Sequence, residues 1–298
     1  MQLHDWSDYQ AFLAIARAGQ LKQAGVATRI DPTTLGRRLR RLEERLGQTL
    51  FERTREGLVI TEAGEQLLHA VEQMDSAAAS VEQRTVEGDG PSGLLRISVS
   101  EGFGSRFLAR YLAGFQTQNP RLSIDLVAQS GFLNPSKREA DIAVMLSRPK
   151  SGPVIARKLS DYSLRLYASP HYLQTRSIPA CAADLLEGHS LIGYIPDLLY
   201  APELSYLDEI QPGLTPHLRS SSINAQHHLI VNSNGIGILP VFMAADDTRL
   251  VPVLPDTHIT RSFWIVTHKD THKLLRVRAF TRWLDDTVRA QHHTLMPK

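Results

Sequence analysis

The chain has 298 residues, 42% of them hydrophobic, 21% charged and 7% aromatic. That composition excludes a disordered or fibrous protein, and at roughly 100–200 residues per domain it fits two or three globular domains. A net charge of +2 is too small over the whole chain to imply nucleic acid, and a single cysteine, Cys181, excludes an intrachain disulfide, a Cys-rich zinc site and a two-cysteine redox switch.

The opening Met1-Gln2-Leu3-His4-Asp5-Trp6 lacks the basic flank and apolar run of a signal peptide. No stretch reaches the length of a membrane span, and the best run, 235–245, is interrupted by Pro240. A cytoplasmic protein with no membrane partner is therefore expected.

In chain order, Trp6, Tyr9, Phe12, Leu13 and Ala16 recur at three- and four-residue spacing and predict an amphipathic helix ended by Gly19. Leu21, Ala24 and Ala27 predict a short second helix. Asp31 as N-cap and Pro32 at the first helical position open a third, with Gly47 as its stop. Its leucines, Leu35, Leu39, Leu42 and Leu46, form one stripe about 60° wide, predicted to be buried. Thr33, Arg37 and Arg40 fall on the opposite face, with Thr34 and Arg41 on a flank.

Phe51–Ile60 predicts two short strands around a turn at Glu56-Gly57. A long helix then opens at Thr61, and Leu67, Val71, Met74, Ala78 and Val81 give it the heptad seam of a helix pair, predicted to join two chains. Glu87-Gly88-Asp89-Gly90-Pro91-Ser92-Gly93 is the clearest linker. Beyond it, strands are predicted at Leu94–Val99, Leu122–Val127, Asp141–Leu146, Leu164–Ala168, Leu191–Tyr194, Gly235–Leu239 and Trp264–His268. Helices are predicted at Phe107–Phe115, His227–Asn232 and Leu274–Val288. This alternation implies an α/β architecture with mostly parallel sheets, and about 200 residues with Gly/Ser turns suggest two lobes.

Charge is concentrated in the first part of the chain. Between Arg29 and Arg55 eight arginines face four carboxylates, whereas the remainder of the chain is net negative. Two short helices and a tight turn are the geometry that sets a recognition helix in the major groove of DNA. Thr33, Thr34 and Arg37 are placed to reach base edges, where Arg pairs with guanine and Thr bonds a base or touches a thymine methyl. Arg38, Arg40 and Arg41 suit phosphates, and Arg53 and Arg55 the flanking backbone or minor groove.

Residues 6–65 resemble the N-terminal domain of LysR-type transcriptional regulators. The resemblance runs through Phe12-Leu13-Ala14-Ile15-Ala16, Gly19, Ala24 and Thr34-Leu35-Gly36-Arg37-Arg38-Leu39-Arg40-Arg41-Leu42-Glu43. It continues in Leu46-Gly47, Leu50-Phe51-Glu52-Arg53-Thr54, Leu58, Thr61, Ala63 and Gly64. Downstream, Val231–Pro240 is similar to the family's segment ending in Gly-Ile-x-x-x-Pro. Where relatives read Ser-Gln-Pro-Ala-Leu-Ser-Arg, this chain has Asp31-Pro32-Thr33-Thr34-Leu35-Gly36-Arg37, so its groove-facing residues are its own. An Arg that many relatives carry near Met145 is absent.

The resemblance implies a winged helix-turn-helix over 1–60, a linker and dimerisation helix with a hinge over 61–92, and a two-lobed α/β effector-binding domain over 93–298 resembling periplasmic solute-binding proteins. Lobe I would comprise about 93–160 and 269–298, lobe II about 161–268. It further implies a small-molecule effector of unknown identity between the lobes. The matching positions are Ser100, Glu101, Gly102, Phe103, Ser130 and Gly131 on one side and Tyr194, Asp197, Ser222 and Asn224 on the other. Glu101 and Asp197, facing one pocket, would disfavour a carboxylate effector.

The expected function is thus a DNA-binding regulator that reads an interrupted palindrome as a dimer or tetramer and responds to an effector, with RNA polymerase as a further candidate partner. The alternatives are an architectural DNA-binding protein without effector and an enzyme on a solute-binding fold. Against an enzyme, there is no Gly-x-Ser-x-Gly, no Gly-x-x-x-x-Gly-Lys and no His-Glu-x-x-His, and Gly235-Ile236-Gly237 lacks the third glycine of a dinucleotide site. His227-His228 and His292-His293 are adjacent pairs rather than i, i+4 metal ligands. No catalytic residue, cofactor or metal site is expected.

Overall fold

The computed structural model describes residues 5–54, 57–85, 90–131, 133, 139–232 and 234–297. They divide into two compact units, 1–89 and 90–298.

In the first unit, α1 (Trp6–Ala18) starts at Asp5, whose carboxylate accepts from the Ser7 amide at 3.0 Å, and stops at Gly19 with φ +69°. After α2 (Leu21–Thr28), α3 (Pro32–Leu46) begins as expected, with Asp31 accepting from the Thr33 amide at 2.8 Å, and ends at Gly47 with φ +65°. Each cap satisfies one of the N–H groups that the first helical turn leaves without a partner. The hairpin pairs β1 (Phe51–Arg53) with β2 (Leu58–Ile60), and α4 (Glu62–Thr85) follows. Gly64 is required there, because a Cβ on it would lie 2.3 Å from the Leu50 carbonyl oxygen.

Phe12, Ile15, Leu35, Leu42, Leu50 and Val71 are fully buried in this unit's core. Leu46, expected on the buried stripe, is instead 37% exposed, because α3 leaves the core at its last turn. Asp8 is also fully buried, which requires paired cations. Arg41 binds it through Nε at 2.9 and 3.0 Å and through Nη2, and Arg45 lies 3.2 Å away with its guanidinium over the Tyr9 ring.

The second unit is built on one mixed eight-stranded sheet. Its strands are β3 (Gly93–Ser100), β4 (Leu122–Gln129), β5 (Ile142–Met145), β6 (Val154–Ala168), β7 (Leu191–Gly193), β8 (Leu218–Arg219), β9 (Ile236–Pro240) and β10 (Val251–His268), in the order β4-β3-β5-β10-β6-β9-β7-β8. A π-helical turn, Phe103–Leu108, leads into α5 (Ala109–Gln118). The remaining helices are α6 (Pro170–Gln174), α7 (Leu207–Ile210), α8 (Ile223–Val231), α9 (Val241–Ala244), α10 (Leu275–Ala290) and α11 (His292–Leu295).

Two lobes arise from one antiparallel ribbon. β6 and β10 pair along most of their length; the C-terminal part of β10 carries β5, and the C-terminal part of β6 carries β9. Within each lobe the strands β3, β4 and β5, or β7, β8 and β9, run parallel. The short strands expected at Leu164–Ala168 and Trp264–His268 are therefore the ends of strands of 15 and 18 residues. The ribbon's register shifts between Val253 and His258, where Leu254 takes φ +50°. Phe103, Phe107, Tyr162, Phe242 and Phe263 close the core between the lobes, with Phe103 and Phe263 ring centres 4.5 Å apart.

Candidate functional sites

The outer face of α3 follows from its inner one. With Leu35, Leu39 and Leu42 buried, Thr33, Arg37, Arg40 and Arg41 are exposed, and Thr34 and Arg38 half-buried. Leu21, Pro32, Thr33, Gly36, Arg37 and Arg40 line an open concavity of about 470 Å³. Its lining combines the apolar Leu21 and Pro32 with the basic Arg37 and Arg40. Among the described residues no carboxylate pairs with Arg37, Arg38 or Arg40.

The other expected contacts are placed differently. Thr33 donates its hydroxyl hydrogen to Asp31, and this bond, with the Thr33 amide, holds the Asp31 carboxyl below the usual carboxylate range. Arg41 is engaged by Asp8 and, at 2.6 Å, by Asp5. The side chain of Arg53, and Arg55 as a whole, lie outside the described residues. Along the expected pairing seam, Val71 is fully buried in the first unit's own core and Leu67 packs half-buried against it, so these two face α1. Met74, 44% exposed, and Ala78 continue the seam on the surface. The Val81 side chain lies outside the described residues.

In the second unit the loops after β3 and β4 meet the start of α8. They meet as partners of one another. Glu101 accepts from Ser222 Oγ at 2.8 Å, from the Ile223 amide at 3.0 Å and from Asn224 Nδ2 at 3.0 Å. Ser222 also caps α8, its Oγ accepting from the Ala225 amide at 3.1 Å. Ser130 donates to the Ser221 carbonyl at 2.8 Å, beside half-buried Gly131 with φ +121°. At Gly102 the lobes touch: a Cβ there would lie 2.8 Å from Met243 Sδ and 3.2 Å from Ile223 Cγ2.

Two of the expected cleft residues, Phe103 and Asp197, belong elsewhere, and Tyr194 is buried near Glu101. Phe103 is fully buried in the aromatic core, since its ring is stacked on Phe107. Tyr194 is buried edge-on against Tyr206, ring centres 6.3 Å apart. Asp197 is exposed on the one-turn helix Pro196–Leu198 and bonds none of the Glu101 group. Ser100, at the end of β3, is buried.

The sequence reading missed a second set of contacts between the lobes. Arg106 donates to Asn224 Oδ1 at 3.4 Å and lies 3.3 Å from His227 Nδ1. A guanidinium only donates, so Nδ1 is the acceptor and the ring proton sits on Nε2, 3.0 Å from Asp247. Burial, and then the Arg106 charge, push the His227 pKa down. Hydrogen bonding from Arg249 holds the Asp247 carboxyl well below its usual range. The i, i+3 spacing of Asn224 and His227 on one helix face was the available signal.

Near Glu101 lie Tyr194 and Tyr200, which form one group with Tyr162 and Tyr206. Burial raises all four hydroxyl pKa values, that of Tyr200 to about 12, and the Glu101 charge adds to the effect at Tyr194 and Tyr200. Among the described residues no group of three or more His, Cys, Asp or Glu is placed to hold a metal ion, and no helix is long and apolar enough to cross a membrane.

Comparison with known proteins bears on both units. Residues 6–65 match the model of the bacterial regulatory helix-turn-helix protein, lysR family, and residues 88–289 that of the LysR substrate binding domain. The transcriptional regulator CrgA of Neisseria meningitidis serogroup C is 28% identical over 281 residues, covering 92% of this chain and 93% of that protein. The Mau operon transcriptional activator of Paracoccus denitrificans is 27% identical, covering 95% and 96%. Among solved structures, CrgA from Neisseria meningitidis superposes with a TM-score of 0.60 at 25% identity over 95% of this chain and 98% of that one. The full-length virulence activator AphB of Vibrio cholerae does so with a TM-score of 0.55 at 26% identity, covering 94% and 98%.

Proposed function

Because the chain belongs to the lysR family of bacterial regulators, the two family domains together covering most of its length, we propose that it acts as a homo-oligomer reading an interrupted palindrome under control of a small molecule bound between its lobes. It is a transcriptional regulator with a DNA-binding helix-turn-helix domain and an effector-binding domain. The relatives named above are a transcriptional regulator and a transcriptional activator.

The observation that carries the DNA reading is the outer face of α3, where Arg37, Arg38 and Arg40 have no carboxylate partner among the described residues and Arg37 and Arg40 line an open hollow with Leu21, Pro32, Thr33 and Gly36. Thr33, Thr34 and Arg37 contact base edges; Thr33, its proton committed to Asp31, accepts rather than donates. Arg38 and Arg40 take phosphates, joined by Arg53 and Arg55 from the hairpin. Arg41 serves the fold first, through Asp8.

Two heads reach half-sites about 34 Å or a multiple apart when α4 pairs two chains. The exposed part of the seam, Met74 and Ala78, makes that contact. Met74→Asp is expected to give a folded monomer in light scattering, whereas Val71→Asp buries a charge and unfolds the first unit. A Met74→Asp protein that stays dimeric moves the seam elsewhere.

The effector lies against the loops of Ser100–Gly102 and Ser130–Gly131 and the start of α8 at Ser222–Asn224. A tetramer of two such dimers in the cytoplasm, working with RNA polymerase, completes the reading. A genome-wide footprint with and without candidate metabolites tests it. Operator-sized protections that shift with one compound support it. Protection that is sequence-indifferent and unmoved by any compound would instead mark an architectural protein.

A further inference from the structure

The cleft between the lobes already contains an anion. The start of a helix gathers amide groups without intrahelical acceptors at the positive end of its dipole, and such ends take carboxylates and phosphates. In α8 that place is filled from within. The Glu101 carboxylate comes from the lobe built on β3–β5 and accepts three hydrogen bonds, from Ser222 Oγ, Ile223 N and Asn224 Nδ2, all from the lobe built on β7–β9. Neighbouring contacts fix the donors. Asn224 also donates to Ser105 Oγ at 3.2 Å and accepts from Arg106, and Ser222 is held by its capping bond to Ala225.

We propose that Glu101 is a resident internal ligand of the α8 amino terminus, which bolts the lobes together and makes the cleft select uncharged or cationic effectors over anionic ones. This rests on the reading of the cleft as the effector site. An anionic effector meets a place whose donors are taken, next to a like charge a few ångströms away. A neutral or cationic one meets the unshared lone pairs of Glu101 and the phenolic groups beside it. Tyr206, whose ring packs against Tyr194, is buried, and its hydroxyl has no hydrogen-bond partner among the described residues.

Chemical rescue in the full-length protein tests the bolt without any effector. Glu101→Ala should lower the melting temperature by roughly 3–8 °C. Added acetate should restore most of the loss, and chloride at equal ionic strength should not. The double variant Glu101→Ala/Ser222→Ala should lose the rescue. Wild type should gain nothing from acetate beyond the chloride effect. An unchanged melting temperature in Glu101→Ala, no acetate rescue, or equal acetate stabilisation of wild type overturns the proposal. Should Glu101→Ala not fold, Glu101→Gln keeps the side chain's volume and removes its charge; its melting temperature must also fall, and no fall overturns the bolt. The selectivity is read by calorimetric screening of wild type: a carboxylate that binds tightly and loses affinity in Ser222→Ala overturns it. Failure of rescue leaves the effector reading standing if a metabolite still moves the footprint. Successful rescue with no metabolite effect retains the bolt and removes the effector reading.

Discussion

Along the outer face of α3, Arg37 and Arg40 are exposed and Arg38 half-buried, all three with no carboxylate partner among the described residues. Across the cleft, Glu101, Ser222, Asn224, Arg106, His227 and Asp247 are each held by a neighbour. The first surface is unspent: binding a phosphate or a guanine there breaks no protein contact. The second is spent, so any ligand must exchange bonds with the protein. On the proposed reading, the DNA-facing surface works through charge left unpaired, and the effector cleft through charge whose pairing can be exchanged.

The largest expected effect comes from an arginine pair on the DNA-binding unit that behaves like the cleft. Asp8 is fully buried and holds Arg41 and Arg45. Breaking a buried pair by removing one partner leaves uncompensated charge. Asp8→Ala should cost about 3 kcal/mol, toward the low end of that effect because Arg41 is 53% exposed. Urea unfolding followed by circular dichroism measures it. A loss within about 0.5 kcal/mol, the ordinary range of surface substitutions, would show that these arginines are as free as Arg37 and erase the distinction.

A second contrast sharpens the comparison within α3 itself. Arg37→Ala should cost roughly 1–3 kcal/mol in operator binding and relax base preference, with little change in melting temperature. Arg41→Ala should lower the melting temperature and leave base preference intact, since its guanidinium is held by Asp8 and Asp5. Binding titrations on a selected operator and its single-base variants distinguish the two. If both variants change specificity alike, Arg41 leaves its ion pair to reach DNA.

Much of this was legible in the sequence, and what was not has a common physical cause. α3 was readable from its leucine stripe, Asp31-Pro32 and Gly47, and β3, β4 and β5 from short apolar runs. The outer halves of β6 and β10 were not. Pro252 and Pro255 interrupt the apolar pattern of β10, and of Val154–Ser160 only Ser160 is buried. What makes these segments strands is their pairing with each other across about a hundred residues, which no local pattern records. The cleft divides in the same way. The loops carrying Glu101 and Ser222 were identifiable, but their mutual bond joins residues 121 positions apart and turns presumed ligand donors into partners of the chain's own carboxylate. Val71 shows the converse: its heptad spacing is real, yet the first unit's core claims it before a second chain can.

The smallest effect concerns pH and touches the cleft alone. The groups facing His227 are Arg106 from the π-helical turn, His228 from α8 itself, and Asp247, held in turn by Arg249, from the segment after α9. Burial, then Arg106, lower the His227 pKa from its ordinary 6.5. The folded state therefore binds the proton less readily than the unfolded state. Stability from this group is complete above about pH 6.5 and falls as the pH drops below it, because the unfolded chain then takes up protons that the folded chain refuses. Asp247, held low, adds a loss of the same sign only below its ordinary 3.8. Protonation puts a hydrogen on Nδ1 against the Arg106 guanidinium, so acid weakens a contact between the lobes. His227→Gln should flatten the fall in melting temperature between pH 7 and 5. It should not abolish it, since His189 is also lowered by burial and contributes with the same sign. The α3 face contains no histidine, so operator affinity of wild type at saturating stability should change little over the same interval. A pH profile that is unaltered in His227→Gln would place the acid sensitivity outside the cleft, and with it the claim that the cleft's charges are the exchangeable ones.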